Sequence, residues 1–119
     1  MYFVDRSAVV LKPAQAFLDW LKSTSDDLPE LTLSQLQSNC TTLLVPEFET
    51  PEQVIGYIGE RFNLIFEAEL SAWEVERKLW PVLDIDQFWN FFTVEVHDMV
   101  LDLVDTDIHI SPIYDEEQV

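Results

Sequence analysis

The sequence predicts an α+β domain: a small antiparallel sheet of two or three strands packed against two long helices and one shorter helix. Three observations predict it. Two runs rich in β-branched and aromatic residues, 2–12 and 40–48, read as strands. Apolar residues at helical spacing, opened by a proline or a capping box, mark helices from Pro13 and from Thr50. The order strand, helix, strand, helix, helix, with a closing third strand, places the helices over one face of the sheet.

The elements follow in order. "YFVDRSAVVLK" is the first strand, and Pro13 then suits the first turn of a helix, where its missing N–H costs nothing. In "PAQAFLDWLKS", Phe17, Trp20 and Leu21 share one helix face. "TSDDLPEL" is a polar break, and "TLSQLQSN" has room for one or two helical turns. "CTTLLVPEF" is a second strand, apolar enough to be central, with Pro46 at its limit. The spacing predicts one long helix over 50–76, with Thr50 as cap, Pro51 at the first position and Gln53 closing the capping box. "RKLWPVLDI" is a connector broken by Pro81, and 86–105 reads as a second long helix. "DIHISPIY" is expected as an edge strand. One domain over 1–114 and a frayed acidic tail over 115–119 complete the expectation.

Composition narrows the function classes. The 119 residues are 48% hydrophobic and 13% aromatic, unlike disordered acidic chains. Six basic residues stand against 23 acidic ones, for a net charge of −17. No lysine or arginine follows Lys78. Such a field repels nucleic acid and anionic membrane and attracts basic proteins, so direct nucleic-acid or membrane binding is not expected. One cysteine, Cys40, fits a reducing compartment. With no signal-peptide pattern and no apolar run of membrane length, the expected location is cytoplasmic.

Catalytic motifs are missing. Gly56 and Gly59 are the only glycines, lie within the predicted helix without a phosphate-loop pattern, and read as a close-packing spot. Cys40 has no nucleophile signature around it. No cofactor is expected. For a metal, helical ligands must recur at three, four or seven positions. His97 has only Thr93, Val94, Val100 and Leu101 at the nearer spacings. On a helix His97 would lie about 160° from Glu95, so no metal ligands are assigned.

The acids themselves form a pattern. Glu95, Asp98, Asp102 and Asp105 are spaced to share one stripe of the predicted second long helix, about 80° wide and about 15 Å long. No basic residue on that helix offsets them. Glu60, Glu67 and Glu74 recur every seven residues opposite the apolar stripe of the preceding helix, either as a plain solvent face or as further partner-binding acids. Glu69 falls inside that apolar stripe, where a charge must be paired or neutralised: it is either a buried structural contact, with Arg6 or an indole N–H as the expected partner, or a perturbed acid at a functional site. Val94 and Leu101 add a second apolar line to the last helix, which makes it either central to the domain or part of a homodimer interface.

The segments "VDRSAVVLKPAQAFLDWL", "LLVPEF", "IFEAELSAW", "LWP" and "FWNFFTVEVHDMVLDLVD" together resemble a group of small, acidic, uncharacterised bacterial cytosolic proteins. The resemblance covers most of the chain and implies a compact cytosolic protein. It implies no activity, ligand or catalytic residue. In charge alone the chain is also similar to bacterial DNA-mimic and immunity proteins. The expected function is therefore an interaction protein that binds a basic protein, such as a nucleic-acid-binding one, through the carboxylate-lined helix. A carboxylate metal-binding protein or enzyme is the alternative, and charge that serves only solubility is a third reading.

Overall fold

The computed structural model describes residues 1–25 and 30–113. It is an α+β fold with two small antiparallel sheets. In chain order the elements are β1 (Tyr2–Phe3), β2 (Ser7–Pro13), α1 (Gln15–Thr24), α2 (Leu33–Leu36), β3 (Thr41–Val45), α3 (Pro51–Gly59) and α4 (Phe62–Trp73). A single 3-10 turn (Arg77–Leu79) leads to α5 (Ile85–Phe91), β4 (Phe92–His97) and β5 (Leu101–Asp102).

The main sheet has the order β3-β2-β4, antiparallel throughout. Val9 sits opposite Leu43 on one side and Val96 on the other. Strand alternation then sorts the residues by face. Ser7, Val9, Leu11 and Pro13 are buried on the face that the helices cover, while Ala8, Val10 and Lys12 lie on the open face. Beneath the covered face, Phe17 and Leu21 from α1 meet Val54 and Ile58 from α3 and Phe66 and Leu70 from α4. Phe88, Phe91 and Phe92 complete this core. Phe66 contacts all three of those rings at centroid distances of 5.5 to 6.0 Å, edge-on.

The capping box at Thr50 forms as the sequence predicts, with both reciprocal bonds to Gln53 present. A second capping box, Thr32 with Gln35, starts the short α2. Five other expectations are corrected. Pro13, expected in the first turn of a helix, is the last residue of β2, opposite Phe92, and α1 starts at Gln15 after Ala14. The strand over 2–12 is two strands in different sheets, separated by a bend at Asp5 and Arg6. β2 is the central strand and β3 is an edge. The helix over 50–76 breaks at Glu60 and Arg61. There the Arg61 N–H reaches back only three residues, to the Ile58 carbonyl at 2.9 Å, and Arg61 leaves helical geometry. The two glycines make the end of α3 a weak helix, and the break lets α4 aim Phe62 and Phe66 at Phe88. The apolar stripe expected along the whole of 50–76 is not buried throughout: Ile55 and Trp73, at its helical spacing, are exposed.

The largest correction concerns 86–105. Asp84 caps a helix there, accepting from the Gln87 N–H at 2.7 Å, but the helix ends at Phe91. Phe92 is extended (φ −134°, ψ 146°), and residues 92–97 pair with β2 over six positions. "FTVEVH" alternates apolar and polar, and three of its six residues are β-branched. Both features favour a strand once an open sheet edge is available. Met99 and Leu103, which fall on one apolar face if 86–105 is drawn as a helix, are exposed. No strand forms over 107–113. The expected tail, 115–119, lies outside the described residues.

Candidate functional site

Without a helix over 86–105, the acidic ladder does not exist as one stripe. Its four carboxylates occupy three places. Glu95 is on β4, on the open face of the sheet, where Lys12 donates to it at 3.0 Å. That bond and the lysine charge hold the Glu95 carboxyl below its ordinary range, and His97 adds to the effect. His97 Nε2 is 3.6 Å from Glu95 Oε2. Two residues apart on a strand means the same side, so the separation expected on a helix is reversed. His97 is also exposed. Asp98 follows β4 and lines a small cavity of about 140 Å³ beside Ser7, Glu49 and the start of α3.

Asp102 and Asp105 remain together, in company the sequence did not indicate. β1 and β5 form a two-stranded ribbon, with Tyr2 opposite Asp102 and Phe3 opposite Leu101. The Val4 N–H donates to the Val100 carbonyl at 3.0 Å and extends the pairing. The Tyr2 hydroxyl donates to Asp105 Oδ1 at 3.1 Å. Asp102 Oδ1 accepts from the Val104 N–H at 2.9 Å, which shapes the turn after β5. Around the ribbon runs an open groove of about 430 Å³ lined by Asp5, Asp102, Asp105 and Asp107. Among the described residues, no lysine or arginine lines it. Arg6, next in sequence to Asp5, lies 3.0 Å from that carboxylate outside the lining.

Apolar side chains share this end of the molecule. Phe3 in β1 is 80% exposed and Leu103, just after β5, 76%, and Met1 and Ile108 are also exposed. Phe3 and Leu101 are register partners, so they share one face of the ribbon, opposite to Tyr2 and Asp102. Phe3 nevertheless borders the groove, with Ile108, so exposed apolar side chains and the aspartates share its lining. Sequence reading missed Asp5 and Asp107 as members of this group. The only signal for Asp5 is its place in a β-prone N-terminal run, and that does not say which residues it will meet.

The helix acids are less concentrated than expected. Glu60 is at the end of α3 beside Arg61, at 3.5 Å. Glu67 accepts from Arg77 at 2.9 Å. Glu74 lies beyond the last turn of α4, and its carboxylate accepts from the Glu76 N–H. The break at residue 60 interrupts their sevenfold repeat, and two of the three have a local arginine.

Glu69 is half-buried on α4 and borders a cavity of about 50 Å³ with Cys40, Thr41 and Trp73. Burial pushes its carboxyl above the ordinary 4.5, and a hydrogen bond with the Thr41 side chain pulls it part of the way back. Arg6 and two of the four indoles are engaged elsewhere. Arg6 pairs with Asp5, and the Trp20 and Trp80 indoles donate to the backbone carbonyls of Leu79 and Glu74. A space this small holds one or two waters and no substrate. Cys40 is half-buried, its thiol donating to the Gln37 carbonyl at 3.2 Å. A methyl placed on Gly56 would meet nothing within 4 Å, so close packing does not explain that glycine.

Among the described residues, no three His, Cys, Asp or Glu side chains are placed to hold one metal ion. No helix among them is long and apolar enough to cross a membrane. No protein-family model, no curated protein and no solved structure matches the chain.

Proposed function

We propose that this protein is an interaction module that engages a basic segment of another protein at the aspartate-lined groove of the β1–β5 ribbon. The observation that carries the reading is the lining itself: Asp5, Asp102, Asp105 and Asp107 around one groove of about 430 Å³ without a basic side chain. A net charge of −17 adds long-range attraction for cationic partners and repels polyanions. The exposed Phe3, Leu103 and Ile108 beside the acids favour a partner segment that is both basic and partly apolar. Nucleic-acid-binding proteins offer such segments. The single cysteine favours a reducing, cytoplasmic setting for the encounter.

The test is binding of a labelled peptide alternating lysine and leucine, followed by fluorescence anisotropy, with a glutamate-leucine peptide as control. Exposed charge pairs contribute about 0.2–1 kcal/mol each. The double variant Asp102→Asn, Asp105→Asn should therefore bind the basic peptide about 2- to 30-fold more weakly. Affinity should also fall steeply between about 50 and 300 mM salt. Equal loss on replacing Glu60, Glu67 and Glu74 by glutamine would move the site to the helices. No binding at low salt would leave the charge a matter of solubility.

A further inference from the structure

We infer that two copies of this chain associate through the outer edge of β3, strand against antiparallel strand, across a two-fold axis. β3 pairs on one side only, with β2. Among the described residues, no backbone hydrogen bond uses its other side. An open edge of this kind is a template for another strand. Natural sheets guard such edges with charged residues, proline or a bulge. The opposite edge of the sheet, β4, has Glu95 within it and Asp98 just after it. β3 has no such guard: "TTLLV" is β-prone and uncharged, and Pro46 comes only after it.

Charge decides between occupants. Residues 31–46 contain no Asp, Glu, Lys or Arg, the longest such run in a chain of net charge −17. Two strongly acidic copies repel wherever acids meet, and this strand is where they can approach closely. An antiparallel edge is also self-complementary, as a two-fold interface requires. A cationic partner has no reason to prefer β3, because the acids that attract it lie elsewhere.

The surface beside the edge fits the same occupant. An apolar groove of about 220 Å³ runs between β3 and the helices, bordered by Leu43, Leu44, Tyr57, Arg61, Leu64 and Ile65. Among the described residues, its only charged lining residue is Arg61, whose guanidinium lies 3.6 Å over the Tyr57 ring. Leu44 is 53% exposed and Leu64 70%. Strand addition would bury Leu44 against its symmetry mate on the open face and Leu64 on the helix side, in one six-stranded sheet.

The test is sedimentation equilibrium of the full chain over a range of concentration, at low and high salt. The expected result is a reversible dimer that tightens with salt, because screening weakens the repulsion of like-charged copies. Basic-peptide binding at the ribbon changes with salt in the opposite sense, so failure of one reading is distinguishable from failure of the other. Leu44→Lys and Leu64→Lys, both at exposed positions, should each weaken the dimer about tenfold or more while leaving the melting temperature of the dilute monomer unchanged. Amide exchange provides a second readout: β3 amides should gain protection as concentration rises. A chain that stays monomeric to about 1 mM at high salt overturns the inference. So does a dimer that both lysine variants leave intact.

Discussion

Replacing Phe66 with alanine tests whether the aromatic cluster is where the fold is held. The Phe66 ring is 0% exposed and stands edge-on to Phe88, Phe91 and Phe92. Those three side chains come from the helix-to-strand junction that the sequence reads as continuous helix. Buried Phe→Ala changes cost about 3–5 kcal/mol through lost transfer energy and the cavity left behind. Each edge-on ring pair contributes about 0.5–1.5 kcal/mol within that total. Domains of this size have about 5–15 kcal/mol in all, so the variant loses a large share of its stability. For 119 residues the entropy of unfolding is about 0.25 kcal/mol/K, which converts the loss to a fall of about 12–20 °C in Tm. Phe3→Ala is the matched control. At 80% exposure that side chain leaves little surface to lose, and the change should stay within about 0.5 kcal/mol. Urea unfolding followed by tryptophan fluorescence measures both, with the slope m unchanged. A Phe66→Ala loss under about 1.5 kcal/mol, or an equal loss in Phe3→Ala, would refute this packing.

Two further outcomes follow from the same structure. Glu69 has its folded carboxyl raised above 4.5 by burial, so the folded state holds that proton longer and its stability falls as pH rises from 4.5 through the raised value. Glu69→Gln keeps a group that can bond Thr41 and removes the charge. The variant should gain on the wild type in urea melts above that window and match it below, and equal pH profiles would mean Glu69 titrates normally. Gly56→Ala, in the exposed middle of α3 with open space around it, should raise stability by about 0.5–1 kcal/mol by calorimetry. A loss would mean that something occupies that space.

Much of the local structure was legible. The Thr50 capping box, the face of α1 that carries Phe17 and Leu21, and the short α2 all rest on contacts within a few residues. Side-chain and backbone groups that near in sequence meet whatever the rest of the chain does. The absence of phosphate-loop and nucleophile motifs, and the −17 charge, are likewise properties of the sequence as written. Glu69 was legible as an acid among apolar residues, but its partner was not. Thr41 is 28 positions away on β3, and only packing brings it to α4.

The segment 92–97 marks the boundary between the two kinds of knowledge. Phe88, Phe92, Val96, Met99 and Leu103 fit a helical face, while Phe92, Val94 and Val96 fit a strand face, and both periods are present in one sequence. The open edge of β2 decided for the strand, by offering an antiparallel partner in register over six positions and a covered face for Phe92. That choice dispersed the predicted ladder and set His97 beside Glu95. It also sent the chain back to the N-terminus, where Tyr2 pairs with Asp102 and Asp5 joins Asp105 and Asp107 around one groove. The sequence by itself determined that this protein is acidic and where several helices begin. Which acids stand together was decided by strand pairing across a hundred residues, because pairing energy depends on a partner that local sequence does not name.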